Sequence, residues 1–350
     1  MKLFKKKFIF LVVMYITTIL FFCSSFATAQ AGDKPIIWTF AASSGAAANI
    51  WGFHPYPRFQ KLIEEATHGR LIIDTKVDLF PFKGTIQGVM KGGADMGFQR
   101  IPFVSGTFPL WDFASLPFFF KNVYEYEAAI NDPAMTKILD ETYAEKGLIR
   151  LFESPSTPLD AIFGNKAIEK VEDFKGLKVR SSGLLATFTL KLLGASPLTM
   201  SAMEISEALK RGTVDAVCTA PGYGMGAGMT DVTKHLSSWP IQSGYGGVVV
   251  VNMKTWKALP QDLQEIVKKV SRQMQGEVFF ASDSEYRVAK TGIRAAGLSI
   301  TVPDKPEIEK ARQLAKPAID KWLKIAGPRG PEVLAIAAKY ASGAKIMLAK

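Results

Sequence analysis

The chain contains 350 residues, of which 48% are hydrophobic, and its formal net charge at pH 7 is +11. A chain of this length can bury a large core and, at about 100 to 200 residues per domain, is long enough for two domains. Lysine and arginine are spread along the sequence, with no basic tract beyond the first seven residues, so nucleic-acid binding is not indicated. The excess charge favours a solvated basic surface, which suits a small anionic partner.

The N-terminus is organised like an export signal. Four lysines within the first seven residues precede an apolar run over 8–22, and Ala27-Thr28-Ala29 fits a small-residue cleavage site. We therefore predict a signal peptide over residues 1–29 and a periplasmic mature protein. An uncleaved anchor is the alternative, but the run is near the short end for a bilayer span. Removing the signal leaves Cys218 as the single cysteine, so no intramolecular disulfide is expected.

The pattern of apolar residues and turns predicts the same order of elements twice. A strand over 36–41, a helix over 58–67, a strand over 71–77, a helix over 85–91 and a strand over 94–98 give β-α-β-α-β. The order recurs with a strand over 177–180, a helix over 184–193, a strand over 198–200, another helix and a strand over 214–218. The sequence therefore predicts an α/β protein with two lobes of similar build.

One local motif occurs in both halves. "MKGGADMG" at 90–97 and "LKRGTVDAV" at 209–217 each end a helix, place glycine at its end and enter a strand next to Asp95 or Asp215. The helix that precedes the second motif starts with Ser201, and Glu204 three residues later completes a capping-box pattern.

The remainder of the chain is predicted to be mainly helical. After an apolar strand over 247–251, a helical pattern extends from 255 to about 294. Such a helix would be about 60 Å long, enough to lie across both lobes. The tail over 306–350 also has a helical pattern.

Several motifs in this order resemble a known family. "VMKGGADMG", "FPLWDFASLPFFF", "GLKVR", "GASPLTMSAMEISEALKRGTVDAV" and "VVVVNMKTWKALPQDLQEIV" are similar to segments of the solute-binding proteins of tripartite ATP-independent periplasmic (TRAP) transporters, of the dicarboxylate-binding (DctP) type. The resemblance implies a two-lobed periplasmic binding protein, type II-like, with a Venus-flytrap arrangement and a long helix spanning both lobes. It implies lobe I over 30–155 plus 244–300 and lobe II over 156–243 plus 301–350. It also implies capture of a small organic acid and delivery to an ion-driven membrane permease.

Arg180 is the central candidate for the ligand site. In the family, an arginine at the end of the "GLKVR" strand pairs with the ligand carboxylate, and Arg180 occupies that position. Arginine keeps its charge and offers a planar fork that meets a carboxylate with two parallel hydrogen bonds. A surface arginine, or one tied to a neighbouring aspartate, is the alternative.

Two further family positions differ here. The resemblance places Thr219 where relatives commonly carry asparagine, and Asp160 where a second arginine is often seen. An acid at that position could bind a ligand amine or face solvent, so a plain dicarboxylate does not follow. Arg100 falls where a strand of the first lobe reaches the cleft, and could bind a second acid group or form an interdomain salt bridge.

The remaining candidates lie in segments that line the cleft in relatives. The pattern favours a helix N-cap role for Ser201, and a ligand contact is the second interpretation. The others, for which core packing is the alternative, are Trp51, His54, Trp239, Gln242 and Tyr245.

No enzymatic motif is present in the sequence. The three histidines have no metal-ligand spacing, and there is no G-x-S-x-G or P-loop. The glycine-rich stretch "PGYGMGAGMTD" at 221–231 lacks the Lys-Ser/Thr of a phosphate loop and reads as a flexible loop near the ligand. Cys218 lies in an apolar strand and reads as a buried small residue. We expect no catalytic activity, no cofactor and no metal site.

The expected partners are a small organic anion and the membrane permease subunits of the transporter, with no nucleic acid. C4-dicarboxylates, keto acids, sulfonates, sugar acids and aromatic acids all fit the sequence. A binding protein of another permease class, or a ligand-sensing receptor for a signalling protein, are the alternatives.

Overall fold

The computed structural model describes residues 34–42, 55–81, 83–155, 159–200, 204–242 and 246–348. Within these ranges the strands are β1 (Ile36–Ala42), β2 (Leu71–Val77), β3 (Met96–Arg100), β4 (Leu148–Pro155), β5 (Leu159–Gly164), β6 (Lys178–Ser181), β7 (Ser196–Thr199), β8 (Ala216–Thr219), β9 (His235–Gln242), β10 (Gly246–Asn252) and β11 (Ser299–Thr301).

The helices in the same ranges lie on and between two sheets. They are α1 (Pro55–Ala66), α2 (Thr85–Met90), α3 (Val123–Ile130), α4 (Pro133–Glu145), α5 (Leu184–Leu192), α6 (Ile205–Lys210), α7 (Pro221–Gly226), α8 (Met253–Ala258), α9 (Gln261–Ala295), α10 (Lys305–Ala315), α11 (Pro317–Ala326), α12 (Gly330–Ala338) and α13 (Ala344–Met347). Short 3-10 helices occupy Ile101–Phe103, Pro109–Ser115, Val171–Phe174 and Met229–Asp231.

The two sheets have matching topologies. The first has the order β2-β1-β3-β10-β4, and the second contains β7-β6-β8-β5-β9 followed by β11. In each, the first three strands are parallel and the next is antiparallel. The chain passes from β4 in the first sheet to β5 in the second, and from β9 in the second sheet back to β10 in the first. The antiparallel strand of each sheet, β10 or β5, therefore directly follows a crossing between the lobes. The predicted α/β fold with two similar lobes is confirmed.

The repeated motif has the same structural role in both lobes. Asp95 Oδ2 accepts a hydrogen bond from Thr39 N of β1 at 2.8 Å, and Asp215 Oδ2 accepts one from Lys178 N of β6 at 2.8 Å. Each carboxylate lies just before the lobe's third strand and ties it to a backbone N–H of the lobe's first strand. The sequence echo therefore reflects equivalent positions in two similar sheets.

The long helix differs from its predicted bounds. The single helix predicted over 255–294 is two helices, α8 and α9, separated at Pro260. Leu259 has ψ 134°, the extended conformation that a following proline favours. The 35 residues of α9 still span about 52 Å. This helix packs against α1 and β4 of the first lobe and against α7 of the second, so it spans both lobes as predicted. Within the described ranges, no helix has the length and apolar character needed to cross a membrane.

The helical tail contacts both lobes. Helix α10 packs against α5 and the 3-10 helix Val171–Phe174, whereas α12 packs against α3 and α4. Between them, Trp322 of α11 is fully buried and its Nε1 donates to Pro109 O at 3.0 Å. The lobe boundaries given from the sequence stay a prediction.

A buried carboxyl in the first lobe gives the stability a predicted pH dependence. Glu153 of β4 accepts a hydrogen bond from Tyr126 Oη, and Arg150 Nη1 lies 3.4 Å from its Oε1. Burial raises the pKa of Glu153 from 4.5 to about 7, against the opposing effect of Arg150. Because the folded-state pKa exceeds the unfolded one, protonation stabilises the folded state. That contribution is complete below about pH 4.5 and is lost as the pH rises through about 7.

We expect the free energy of unfolding to fall by about 3 kcal/mol between pH 5 and pH 8, at about 1.4 kcal/mol per pKa unit. Buried Asp112, whose pKa is raised to about 6, adds in the same direction. Urea denaturation at stepped pH measures the slope. Glu153→Gln should flatten it, whereas Glu145→Gln, at an exposed carboxyl, should leave it unchanged. A slope that is equal in all three proteins would contradict the assignment to Glu153.

Candidate ligand-binding site between the lobes

The carboxyl ends of the parallel strands of the two sheets face one another. Arg100 ends β3, Thr219 ends β8, and Arg180 is the next-to-last residue of β6. Two contacts join these edges across the lobes: a Cβ atom built on Gly183 would lie 2.9 Å from Pro102 Cβ, and Ala220 packs with Phe103. In open α/β sheets, ligands bind outside the carboxyl ends of the strands. The crevice at these strand ends is therefore the candidate site.

Arg180, near the carboxyl end of β6, is only 3% exposed. Its Nη2 donates to Met200 O at 3.3 Å. The strand pairs with β7 and β8 on either side, at Leu198 and Val217, so Arg180 is held within the sheet and not at its edge. The alternative of a solvated surface arginine is wrong for this position.

Tyr223 of α7 lies within electrostatic range of both candidate arginines. Burial raises the pKa of its hydroxyl, and the charges of Arg180 and Arg100 oppose this rise. Arg100 is half-buried, with its guanidinium carbon 5.6 Å from the centroid of the Phe98 ring. The structure thus brings Arg180 of the second lobe and Arg100 of the first around one tyrosine.

Two members of this cluster, Tyr223 and Glu285, were missed by sequence reasoning. Tyr223 lies in the glycine-rich stretch that was expected to be a loop and instead forms α7, where Pro221 is the first helical residue. Proline is common at that position and was the available signal. Glu285 lies on α9 beside α7, where a Cβ atom built on Gly222 would lie 2.4 Å from its Oε1. Sequence spacing does not indicate this contact, because 63 positions separate the two residues.

The comparison with known families decides the identity. The model of bacterial extracellular solute-binding proteins, family 7 (DctP), matches residues 46–325. The chain belongs to this family.

Relatives of this solute-binding protein are matched over most of their length. It is 26% identical over 307 residues to the monocarboxylate 2-oxoacid-binding periplasmic protein of Nostoc sp., which covers 85% of this chain and 82% of that protein. The fold matches DctP7, an extracytoplasmic solute receptor of Bordetella pertussis binding pyroglutamic acid, with a TM-score of 0.78, 21% identity and coverage of 86% and 99%. It also matches a TRAP periplasmic solute-binding protein of Sulfitobacter sp. with bound β-D-galacturonate, with a TM-score of 0.74, 21% identity and coverage of 87% and 99%.

These matches confirm the TRAP family and the two-lobed fold predicted from the sequence motifs. The protein is an extracytoplasmic solute receptor that works with the membrane permease subunits of a TRAP transporter. The family and fold are those of solute-binding receptors.

In this solute-binding protein, Thr219 is the last residue of β8, and Cys218 before it is buried in the hydrophobic core. Thr219 is 4% exposed, and its predicted contact with the ligand stays a prediction. Burial raises the pKa of the Cys218 thiol to about 12, against the opposing effect of Arg180. A thiol with this pKa is protonated at neutral pH and is not a nucleophile.

Asp160 is tied to the long helix. It lies where the register of β5 and β9 shifts and is 4% exposed. Its Oδ2 accepts hydrogen bonds from Ser238 Oγ at 2.6 Å, from Tyr286 Oη and from Lys290 Nζ at 3.0 Å. The solvent-facing alternative is therefore wrong, because the Asp160 side chain is buried. The positive charge of Lys290 balances the buried carboxylate. Asp160 also lines a cavity of about 260 Å³ with Tyr286 and Asp283. A ligand role for Asp160 stays a prediction.

Trp239 and Gln242 of β9 are placed in packing contacts. The Trp239 indole is fully buried, meets Phe174 edge to face at 5.0 Å and donates from Nε1 to Ile168 O at 2.9 Å. The Gln242 amide is also fully buried and donates to Ser115 O of the first lobe at 3.2 Å. These contacts favour core packing for Trp239 and an interlobe tether for Gln242.

The other predicted site residues lie outside the described residues: Trp51, His54, Ser201 and Tyr245. Of the predicted capping box, only Ser201 lies there; Glu204 is described and is the residue immediately before α6. Among the described residues, no group of three or more histidine, cysteine, aspartate and glutamate side chains could hold a metal ion.

The Gly183 contact predicts a role in closing the lobes. Its φ is +85°, a region that side chains disfavour, and its missing side chain allows Pro102 of the first lobe to approach. We expect Gly183→Ala to cost about 1 to 3 kcal/mol of stability through backbone strain. We also expect it to weaken ligand binding about tenfold, because the new methyl group holds the lobes apart.

Gly176→Ala is the matched control for this prediction. Gly176 has φ +73°, but a Cβ atom there would meet nothing within 4 Å. Denaturation and calorimetry should show a stability loss in both variants and an affinity loss in Gly183→Ala alone. Equal affinities would contradict a role for Gly183 in closure.

Proposed function

We propose that this receptor captures a small organic acid in the crevice between its lobes and presents the closed, loaded form to an ion-driven TRAP permease. The observation that carries the proposal is the placement of Arg180, buried at a carboxyl strand end that faces the other lobe. A guanidinium in this position offers a fixed fork to a carboxylate, and removal from water strengthens the pairing.

The ligand itself would favour closure. Arg180 and Thr219 come from the second lobe and Arg100 from the first, so an acid held between them contacts both. Only contacts that exist in the closed form can shift the equilibrium towards it. A long helix that packs on both lobes provides a fixed axis about which they can close.

The ligand class follows from the arginines and from the relatives. The Nostoc relative is named for 2-oxoacids, the Bordetella receptor for pyroglutamic acid, and the Sulfitobacter protein holds galacturonate. Each of these molecules has a carboxylate, which Arg180 would bind in this chain. Export by a cleaved signal peptide over residues 1–29 would place the mature protein in the periplasm, where a TRAP receptor meets its ligand.

A thermal-shift screen tests this function. The mature protein is stripped of bound ligand by partial unfolding and refolding, and then heated with 2-oxoacids, sugar acids, dicarboxylates, sulfonates and lactam acids. A ligand at 100 times its Kd should add about 2.7 kcal/mol of stability and raise the melting temperature. The corresponding amides, which lack a negative charge, are the controls. If no acid raises the melting temperature, or if the amides do so equally, the proposed function fails.

A further inference from the structure

One acidic residue of the long helix differs from the others. Helix α9 carries five acidic residues, and within the described chain four of them form ion pairs: Asp262 with Arg70, Glu265 with Lys268, Glu277 with Arg58, and Asp283 with Arg287. The fifth, Glu285, has no hydrogen bond or ion pair with any residue in the described ranges. An unpaired carboxylate is unremarkable in water, but Glu285 is half-buried.

The position of Glu285 is set by a glycine at the ligand crevice. Its carboxyl group lies over the backbone of Gly222, where a Cβ atom would be 2.4 Å from Oε1 and 3.3 Å from the carboxyl carbon. Gly222 is three residues beyond Thr219, the end of β8, and next to Tyr223. Any side chain at position 222 would displace the carboxylate. The absence of a side chain there therefore lets the carboxylate of α9 reach the edge at which Arg180 lies.

The charged residues that act on Glu285 and on its neighbour Tyr223 are the candidate ligand-binding arginines, Arg100 and Arg180. Burial raises its pKa, and the charge of Arg100 opposes this rise. Arg100 also acts on Tyr223, as does Arg180. Glu285, Tyr223 and the two arginines thus share one partly desolvated region, to which these four residues bring two positive charges and one negative charge.

We propose that Glu285 determines ligand specificity by accepting a hydrogen bond from an N–H or O–H group of the bound acid. This inference rests on the proposed function and narrows its ligand class. The preferred ligand is a monocarboxylic acid that carries an amide, amino or hydroxyl donor a few bonds from its carboxylate. A dicarboxylate without a donor is disfavoured, because its second negative charge would meet a carboxylate.

Two physical effects support this selectivity. A buried acceptor that a ligand leaves unsatisfied costs more than the bond itself is worth, so sites built to hydrogen-bond one group reject analogues that lack it. Like charges brought together at a desolvated site also discriminate against the wrong partner. Both effects act at Glu285 and neither requires Arg180, so specificity and carboxylate capture are separable.

The test uses matched ligand pairs that differ only in the donor. Suitable pairs are L-pyroglutamate with its lactone analogue, in which oxygen replaces the ring N–H, and 2-hydroxy acids with their deoxy counterparts. Succinate represents a dicarboxylate without a donor. For whichever of these pairs binds, isothermal titration should show an affinity at least about tenfold higher for the ligand with the donor. This magnitude is expected because the hydrogen bond is to a charged group.

Three variants separate the contributions. Glu285→Ala should reduce the donor preference below threefold. Glu285→Gln should improve succinate binding at least threefold by removing the like charge. Gly222→Ala leaves Glu285 in the chain but displaces its carboxylate, and should also reduce the donor preference. Glu277→Ala and Glu277→Gln, on the same helix but paired with Arg58, should keep the wild-type preference.

The outcomes distinguish this inference from the proposed function. If acids bind but wild type does not prefer donor members, or if Glu285→Ala keeps the preference, the inference is overturned and the receptor function stands. If only acids without donors bind, the inference is also overturned. If no acid of any kind binds to the stripped protein, the proposed function itself fails. Melting temperatures of all variants confirm that they are folded.

Discussion

Replacing Arg180 with alanine should weaken binding of the acid that performs best in the thermal-shift screen by about 2 to 5 kcal/mol. The reason is that the ligand carboxylate would be desolvated at a site that no longer holds its partner charge. Arg180 is 3% exposed, so water cannot replace the guanidinium without opening the crevice. Isothermal titration measures the loss, which should exceed tenfold.

Two further variants sharpen this prediction. Arg180→Lys should also bind more weakly, because a point charge cannot reproduce the two parallel hydrogen bonds of the guanidinium fork. Arg211→Ala removes an arginine that is 74% exposed and paired with Glu207 four residues earlier, and should bind as wild type does. A loss below threefold in Arg180→Ala, or equal losses in Arg180→Ala and Arg211→Ala, would reject the role of Arg180.

Trp239→Ala should lower the free energy of unfolding by about 3 to 5 kcal/mol, because it removes a fully buried indole and leaves a cavity in the second lobe. It also removes the donor to Ile168 O and the edge-to-face contact with Phe174. Chemical denaturation measures the effect. This is the largest stability change that we expect from a single substitution near the site.

Trp239→Phe tells packing apart from ligand binding. Phenylalanine retains most of the ring volume but not the N–H, so we expect a smaller stability loss of about 1 to 3 kcal/mol. The affinity for the acid should stay within threefold of wild type, since the indole faces the core. A large affinity loss with normal stability would restore Trp239 to the ligand site.

The elements that could be predicted from the sequence are those with strong local signals. The strand over 71–77 and the helices from 85 and from 184 have clear periodicity and ends marked by glycine, and they were placed to within a residue or two. The echo around Asp95 and Asp215 revealed the repeat, because both carboxylates accept a hydrogen bond from a strand N–H at an equivalent position. Pro260 was overlooked although its effect on Leu259 is local, and this omission merged α8 with α9.

Only part of the candidate site could be predicted from the sequence, because its side chains come from distant parts of the chain. Arg180 and Arg100 could be named from strand ends, which are local features. The salt bridge of Asp160 with Lys290 joins residues 130 positions apart and cannot be inferred from spacing. The same applies to Glu285 and Gly222, which meet because α9 passes over α7. Sequence motifs locate the ends of the strands, whereas the contacts of the long helix depend on the tertiary fold.

The exchange of strands between the lobes affects how the protein can mature. In the first sheet, β10 lies between β3 and β4, so a nascent chain that ends before Gly246 has two edges with unsatisfied backbone groups and no strand to join them. The first sheet is therefore complete only when β10 is available, and β10 follows strands β5 to β9 of the second sheet. For a polypeptide that is threaded through a membrane from its amino end, the first sheet stays incomplete until most of the chain has been translocated. The strand order that places the crevice between the lobes therefore also delays completion of the first sheet until residues 246–252 are available.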